Sequence, residues 1–209
     1  FLGVQLWHLV LAAVAVAGGT PQQFGGMNLL SELEASFHWS TGAYSTLASG
    51  GYSSGAASDL SQAWAVLGLS LAGQPVPAPA VGYLLGTQAP DGSWGSMDPD
   101  TTALAVIALL ASGQVQTSDP AVTNALIVFH RTQQANGGWR PEWDTDPLNA
   151  DSTAWILQAL YAAGEDLATW AATEGDPVSA LAGLQKEDGS IGGTYATTPL
   201  TPGATANVI

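Results

Sequence analysis

The sequence predicts an all-α fold of helical hairpin repeats, and three observations carry that prediction. A turn of the form Gln-x-x-x-Gly-x-(Trp/Ile) occurs three times, at Gln88–Gly92–Trp94, Gln133–Gly137–Trp139 and Gln185–Gly189–Ile191. An Asp-initiated, Ala/Leu-rich segment that ends in Gly follows each of the first two turns. Ala is abundant and β-branched runs are few, which favours helix, while 25 glycines call for many short turns because Gly is poor inside helices.

The elements can be taken in chain order. Residues 1–20 hold an apolar run from Leu9 to Ala17, shorter than the roughly 20 residues that span a bilayer. Ala15-Val16-Ala17 imitates a signal-peptide cleavage site, but no basic region precedes it. The segment is better read as the second helix of a repeat whose first half is missing. Residues 21–73 form a degenerate repeat, with Gly42-Ala43-Tyr44 in place of the turn and a Ser/Gly-rich loop over 46–58. Residues 75–113 and 118–164 are full repeats, and 174–209 is a truncated one whose last helix starts near Thr205. The whole chain is read as a single repeat domain, 1–209.

The Gln positions step by 45 and 52 residues, from 88 to 133 to 185. Asp or Asn precedes each turn glycine, the signature of a tight turn with positive φ. The helices before the turns are amphipathic, with Val122, Leu126 and Phe129 on one stripe and Val178, Leu181 and Leu184 on the next. Pro120 and Pro177 fall where a first helical turn accepts them. The helices after the turns are nearly all apolar; Ala103 to Ala111 contains no polar residue. Asp59, Asp100 and Asp151 open these helices, read as N-caps, with Gly73, Gly113 and Gly164 closing them.

Charge narrows the function classes. Seventeen acidic residues face three basic ones, Arg131, Arg140 and Lys186, for a net charge of -14. Without a positive patch, nucleic-acid binding is excluded, and the same lack argues against docking on anionic membranes. The absence of Cys removes disulfides, thiolate zinc and a thiol nucleophile. His8, His38 and His130 have no zinc spacing, no Ser stands in a nucleophile elbow, and no cofactor is expected. His130 is expected to be an exposed residue of its helix. A polar inventory of Thr, Ser, Gln, Asn and Asp rather than Lys and Glu points to an extracellular or cell-surface protein.

The Gln-x-x-x-Gly-x-Trp turn, followed by Asp-Thr-x-Ala and an Ala/Leu-rich helix, resembles the prenyltransferase and squalene-cyclase repeat. The likeness covers roughly residues 21–209, with Ile191 departing from the Trp of the motif. It implies an α/α toroid of inner and outer helices, here an incomplete toroid or open arc of about four helix pairs. It is closest in character to bacterial surface proteins with these repeats. The implied partners are other protein segments or subunits that complete the array, or an apolar or bulky small molecule. Trp94 and Trp139 would then pack between outer helices, while Trp7, Trp64 and Trp155 are read mainly as core.

Asp98-Pro99-Asp100-Thr101-Thr102-Ala103 is similar to the acid motif of the cyclases, in which the residue matching Asp100 protonates an alkene. Here Thr101 stands where that motif has another Asp, which argues against the activation such an acid needs. The leading expectation is therefore a non-catalytic binding or assembly module, with ligand-binding residues Asp100, Asp151 and Trp155. A cyclase-like enzyme using Asp100 with Asp98, and a carrier of a corrinoid or other bulky ligand, are the alternatives. The acidic stretch 142–151 gives a weak calcium candidate at Asp144, Asp146 and Asp151, against its reading as a solvated loop.

Overall fold

A computed structural model describes residues 13–44 and 58–191. Of the helix expected over residues 1–20, residues 1–12, with Trp7, lie outside the described residues, and 13–16 are helical. The Ser/Gly-rich loop and the last helical fragment also lie largely or wholly outside them. Among the described residues seven α-helices follow: α1 (Leu29–Ala35), α2 (Asp59–Leu71), α3 (Ala78–Gly86), α4 (Pro99–Ala111), α5 (Pro120–Thr132), α6 (Ala150–Ala163) and α7 (Pro177–Ala182). Two-residue strands β1 (Phe37–His38) and β2 (Ala43–Tyr44) pair antiparallel, Phe37 opposite Tyr44. The fold is all-α, as the repeat pattern predicts.

The chain divides into two compact units, residues 1–88 with 107–116 and residues 89–106 with 117–209. In the first, α2 packs against α3, and β2 touches both. In the second, α6 packs against α5 and α7. Burial follows the pattern of the sequence: Ala103, Leu104, Ala105, Val106, Ala108 and Leu109 on α4 are all buried. On α5, Val122 and Phe129 face inward, while His130 and Arg131 sit at the C-terminal end, where cations favour the helix dipole. One expectation fails here: Val178 is exposed, because α7 is only six residues long and buries little of its first turn.

The three turns share one hydrogen-bond pattern. In each, the residue after the Gln donates its amide to the carbonyl just past the glycine: Ala89 to Ser93, Gln134 to Gly138 and Lys186 to Ser190, at 2.9, 2.9 and 2.7 Å. The Asp or Asn before the glycine accepts from the amide two residues on, at 3.0 Å in all three. The hydroxyls of Ser93 and Ser190 add a second bond, which holds the Asp91 and Asp188 carboxyls below the usual aspartate range. The turn Gln reaches across the loop, Gln133 Nε2 donating to the Gly137 carbonyl at 2.9 Å and Gln185 Nε2 to that of Gly189 at 3.2 Å.

The turn glycines take φ of +93°, +91° and +83°, a region an L-residue enters only at a steric cost. Two are also packed against. A Cβ on Gly92 would meet the Asn124 carbonyl of α5 at 2.7 Å, and one on Gly137 the Asp176 backbone before α7 at 2.6 Å. Each of these two turns thus seats the pre-turn helix of the following repeat, α5 for Gly92 and the start of α7 for Gly137. Ile191 replaces Trp and is itself buried, with Ala150 against Leu181 and Leu184, although residues 185–189 of this turn are exposed.

The N-caps differ from the expectation. Ser58 caps α2 and Asn149 caps α6, their side chains accepting from the amides of Ser61 and Ser152 at 3.1 and 3.0 Å. Asp98 does the same for α4, accepting from the Thr101 amide at 2.9 Å. Asp59, Asp100 and Asp151 therefore lie inside the first helical turn, and Asp59 is one position out of step with the other two. The reason is local: each true cap has its acceptor three residues before an available amide, a geometry that residues already in helical conformation cannot adopt.

Candidate functional site

The ends of the following helices are fixed by a residue four positions after each cap. Thr102 Oγ1 accepts from the Trp94 amide at 3.0 Å, and Thr153 Oγ1 accepts from the Trp139 amide at 3.0 Å. In the degenerate repeat, Gln62 does this work, its Oε1 accepting from the Tyr44 amide at 2.9 Å and its Nε2 donating to Gly42 and Ala80 carbonyls. Tyr44 is thus the counterpart of the turn Trp, as the sequence alignment at Gly42-Ala43-Tyr44 anticipates. Burial drives the Tyr44 phenol well above its ordinary pKa, with the Glu34 charge adding to the rise. These bridging residues were invisible as such, because the spacing to the aromatic differs in every repeat.

Trp94 and Trp139 are fully buried. The Trp139 indole donates to the Phe129 carbonyl at 2.8 Å and lies 6.0 Å from Trp170. Trp170 in turn stacks on the ring of His130 at 3.6 Å, so that His130, although exposed as expected, forms the cover of an aromatic column. Gln133 Nε2 ties the column down by donating to the Trp170 carbonyl at 2.7 Å.

Within the second unit, Asp98, Asp100 and Asp151 come together at the starts of α4 and α6. Burial pushes the Asp100 carboxyl up from 3.8 to about 6; the Ser152 hydroxyl pulls the other way, and the charges of Asp98 and Asp151 push it further up. Ser152 Oγ is near enough to favour ionisation but does not meet hydrogen-bond geometry. Asp100 Oδ1 and Ser152 Oγ are consequently both buried with no partner among the described residues. Asp98 is occupied by Thr101, whose hydroxyl and amide both donate to its Oδ2. Trp155 is half-buried one turn beyond Asp151. Ser152 escaped notice in the sequence because a Ser at this place reads as ordinary helix-start chemistry.

Much of the acidic stretch is solvated, with Glu142, Trp143, Thr145 and Pro147 exposed, but Asp144 departs from that reading. Asp144 is buried, accepting from the Asp146 amide at 3.0 Å and from Asn149 Nδ2 at 2.8 Å. Arg140 donates to the Asp144 carbonyl. The Asp144 carboxyl thus faces donors rather than Asp146 and Asp151 oxygens. Among the described residues, no group of three or more His, Asp or Glu side chains could hold a metal ion. Among those residues, too, no helix is long and apolar enough to cross a membrane.

Alternating helices, a repeated Gln/Gly turn and a side-chain bridge behind each turn aromatic define a helical-hairpin repeat protein. Comparison with known proteins gives the relationship: the chain is 34% identical to the squalene–hopene cyclase of Bradyrhizobium diazoefficiens over a stretch that covers 42% of this chain. That stretch is 15% of the cyclase's own length. The homology supports a place for the chain among the prenyltransferase and squalene-cyclase-like repeats. No family model matches the chain.

Proposed function

We propose that this chain is a non-catalytic binding or structural-assembly module of an exported protein, with its recognition site at the helix starts around Asp100, Asp151 and Trp155. The observation that carries the reading is the pair of buried, unpartnered atoms Asp100 Oδ1 and Ser152 Oγ. A buried acceptor beside a buried hydroxyl is costly to leave unmade, so a ligand donor placed there gains more than it would at a solvated carboxylate. The partners are protein segments that complete the repeat array, or an apolar or bulky small molecule. A polar inventory of Thr, Ser, Gln, Asn and Asp with little Lys supports an extracellular or cell-surface setting.

Proton donation of the cyclase kind is less well supported. Thr101 occupies the place of an acid in the related motif, and its hydroxyl is spent on Asp98. The Asp98 carboxyl is in turn held as a helix cap, and among the described residues Asp100 Oδ1 has no hydrogen-bond donor.

Native mass spectrometry of the protein from its own source tests the reading. An assembly, or a longer chain free of isoprenoid, is the expected result. A retained isoprenoid or corrinoid mass, or cyclised product from squalene that disappears in Asp100→Asn, overturns it. Substitution of Asp100, Asp151 and Trp155 without loss of affinity for a ligand so found removes the site from this place.

A further inference from the structure

A groove of about 590 Å³ opens in the second unit between the loop before α4 and the loop after the Trp139 turn. Its lining includes Met97, Asp98, Pro99, Pro141, Glu142 and Trp143. The volume is that of a small-molecule site. Trp143 is 68% exposed and Met97 46% exposed, so an indole and a thioether stand in solvent where large apolar groups are usually covered.

The groove is negative as well as aromatic. Asp98 and Glu142 line it, and Asp100 lies close enough to Asp98 for their charges to interact. No basic residue lines it. Arg131 pairs with Asp91 at 3.8 Å, and Arg140 is turned to the Asp144 carbonyl. The wall is also rigid. Gly95, Ser96 and Met97 take φ of +63°, +59° and +64° in succession, a run that costs energy at the two non-glycine residues. A Cβ on Gly95 would strike the Thr101 side chain at 2.8 Å, and Thr101 is itself fixed to Asp98. This bracing holds Met97 outward beside the capping carboxyl.

We infer that this groove binds a small organic ammonium ion, with the Trp143 indole against the cation's alkyl groups and Asp98 and Glu142 supplying the counter-charge. An exposed aromatic face attracts a cation through its quadrupole, and flanking carboxylates without a competing base add a screened Coulomb attraction. A methylated ammonium suits this pairing because its charge is spread over an apolar surface that it loses little by burying. The inference rests on the binding reading above and names the ligand chemistry for that end of the helices.

The test is calorimetric titration of the 209-residue chain with choline, and separately with its neutral isostere 3,3-dimethyl-1-butanol. Choline is expected to bind at a millimolar level, the alcohol not at all, and choline affinity to fall as salt is raised. Trp143→Ala and Glu142→Gln should each weaken choline by roughly fivefold, the size of an exposed cation–π contact or counter-charge. Trp39→Ala, on an exposed Trp of the other unit, should leave it unchanged. Equal binding of the alcohol, choline binding indifferent to Trp143 and Glu142, or no choline binding overturns the inference. In the last case, a native adduct that Asp100→Asn releases still leaves the wider binding reading standing.

Discussion

Thr153 holds Trp139 by both of its backbone polar groups, Oγ1 accepting from the Trp139 amide at 3.0 Å and donating to the Trp139 carbonyl at 3.2 Å. Thr102 Oγ1 likewise accepts from the Trp94 amide at 3.0 Å, but its proton goes to the nearer Asp98 carbonyl at 2.8 Å, with the Trp94 carbonyl at 3.3 Å. A fully buried hydroxyl so placed converts a turn aromatic into a fixed wedge between helices.

Thr153→Val keeps the shape and leaves the buried Trp139 amide without its acceptor. The expected loss is about 1–3 kcal/mol, the desolvation of one unsatisfied backbone group. Thr153→Ser should recover most of it. Urea denaturation of the three proteins checks this, and a Val variant as stable as the parent would show the bridge to be idle.

The turn glycines should separate by their surroundings. Gly189→Ala meets open space and carries only the left-handed backbone strain, about 1–2 kcal/mol. Gly137→Ala carries the same strain and also drives a methyl into the Asp176 backbone, which cannot swing aside as a side chain tip could. Its melting temperature should fall clearly further than that of Gly189→Ala.

The cap register gives a third comparison. Ser58→Ala removes the acceptor for the Ser61 amide and should cost about 1 kcal/mol. Asp59→Ala removes a favourable charge in the first turn, worth about 0.3–1 kcal/mol and reduced by salt. In high salt the Ser58 effect should persist while the Asp59 effect shrinks. The reverse order would restore Asp59 as the cap.

Asp100 makes stability depend on pH in a defined direction. Its folded pKa of about 6 lies above its ordinary 3.8, so the folded state holds the proton more tightly. The contribution is fully present below pH 3.8 and is lost as pH rises to about 6, by about 3 kcal/mol in all. Asp91 and Asp188, whose carboxyls are held low, act oppositely, adding stability that fades as pH falls. The difference between the parent and Asp100→Asn isolates the first effect. Asp100→Asn should gain on the parent as pH rises from 4 to 6, followed by thermal melts. A constant difference across that range would place Asp100 in solvent.

Much of this protein could be read without coordinates. The turn motif, the apolar helices after it and the proline-led helices before it all depend on local spacing, and local spacing is what a sequence displays. The equivalence of Tyr44 with Trp94 and Trp139 also emerged, from the glycine preceding it. Register within the first helical turn did not, because Ser58, Asp98 and Asn149 compete with neighbouring acids of similar capping propensity, and only backbone geometry separates them.

The sequence alone therefore determined the helices, their order and the turns that join them, since each rests on contacts within a few residues. Tertiary structure decided which polar groups are buried together. The meeting of Asp100 with Asp151 and Ser152, the burial of Asp144 and the groove beside Trp143 join residues distant along the chain or depend on a loop's path. Charge, burial and unmet hydrogen bonds are properties of such juxtapositions, and no period along the chain records them.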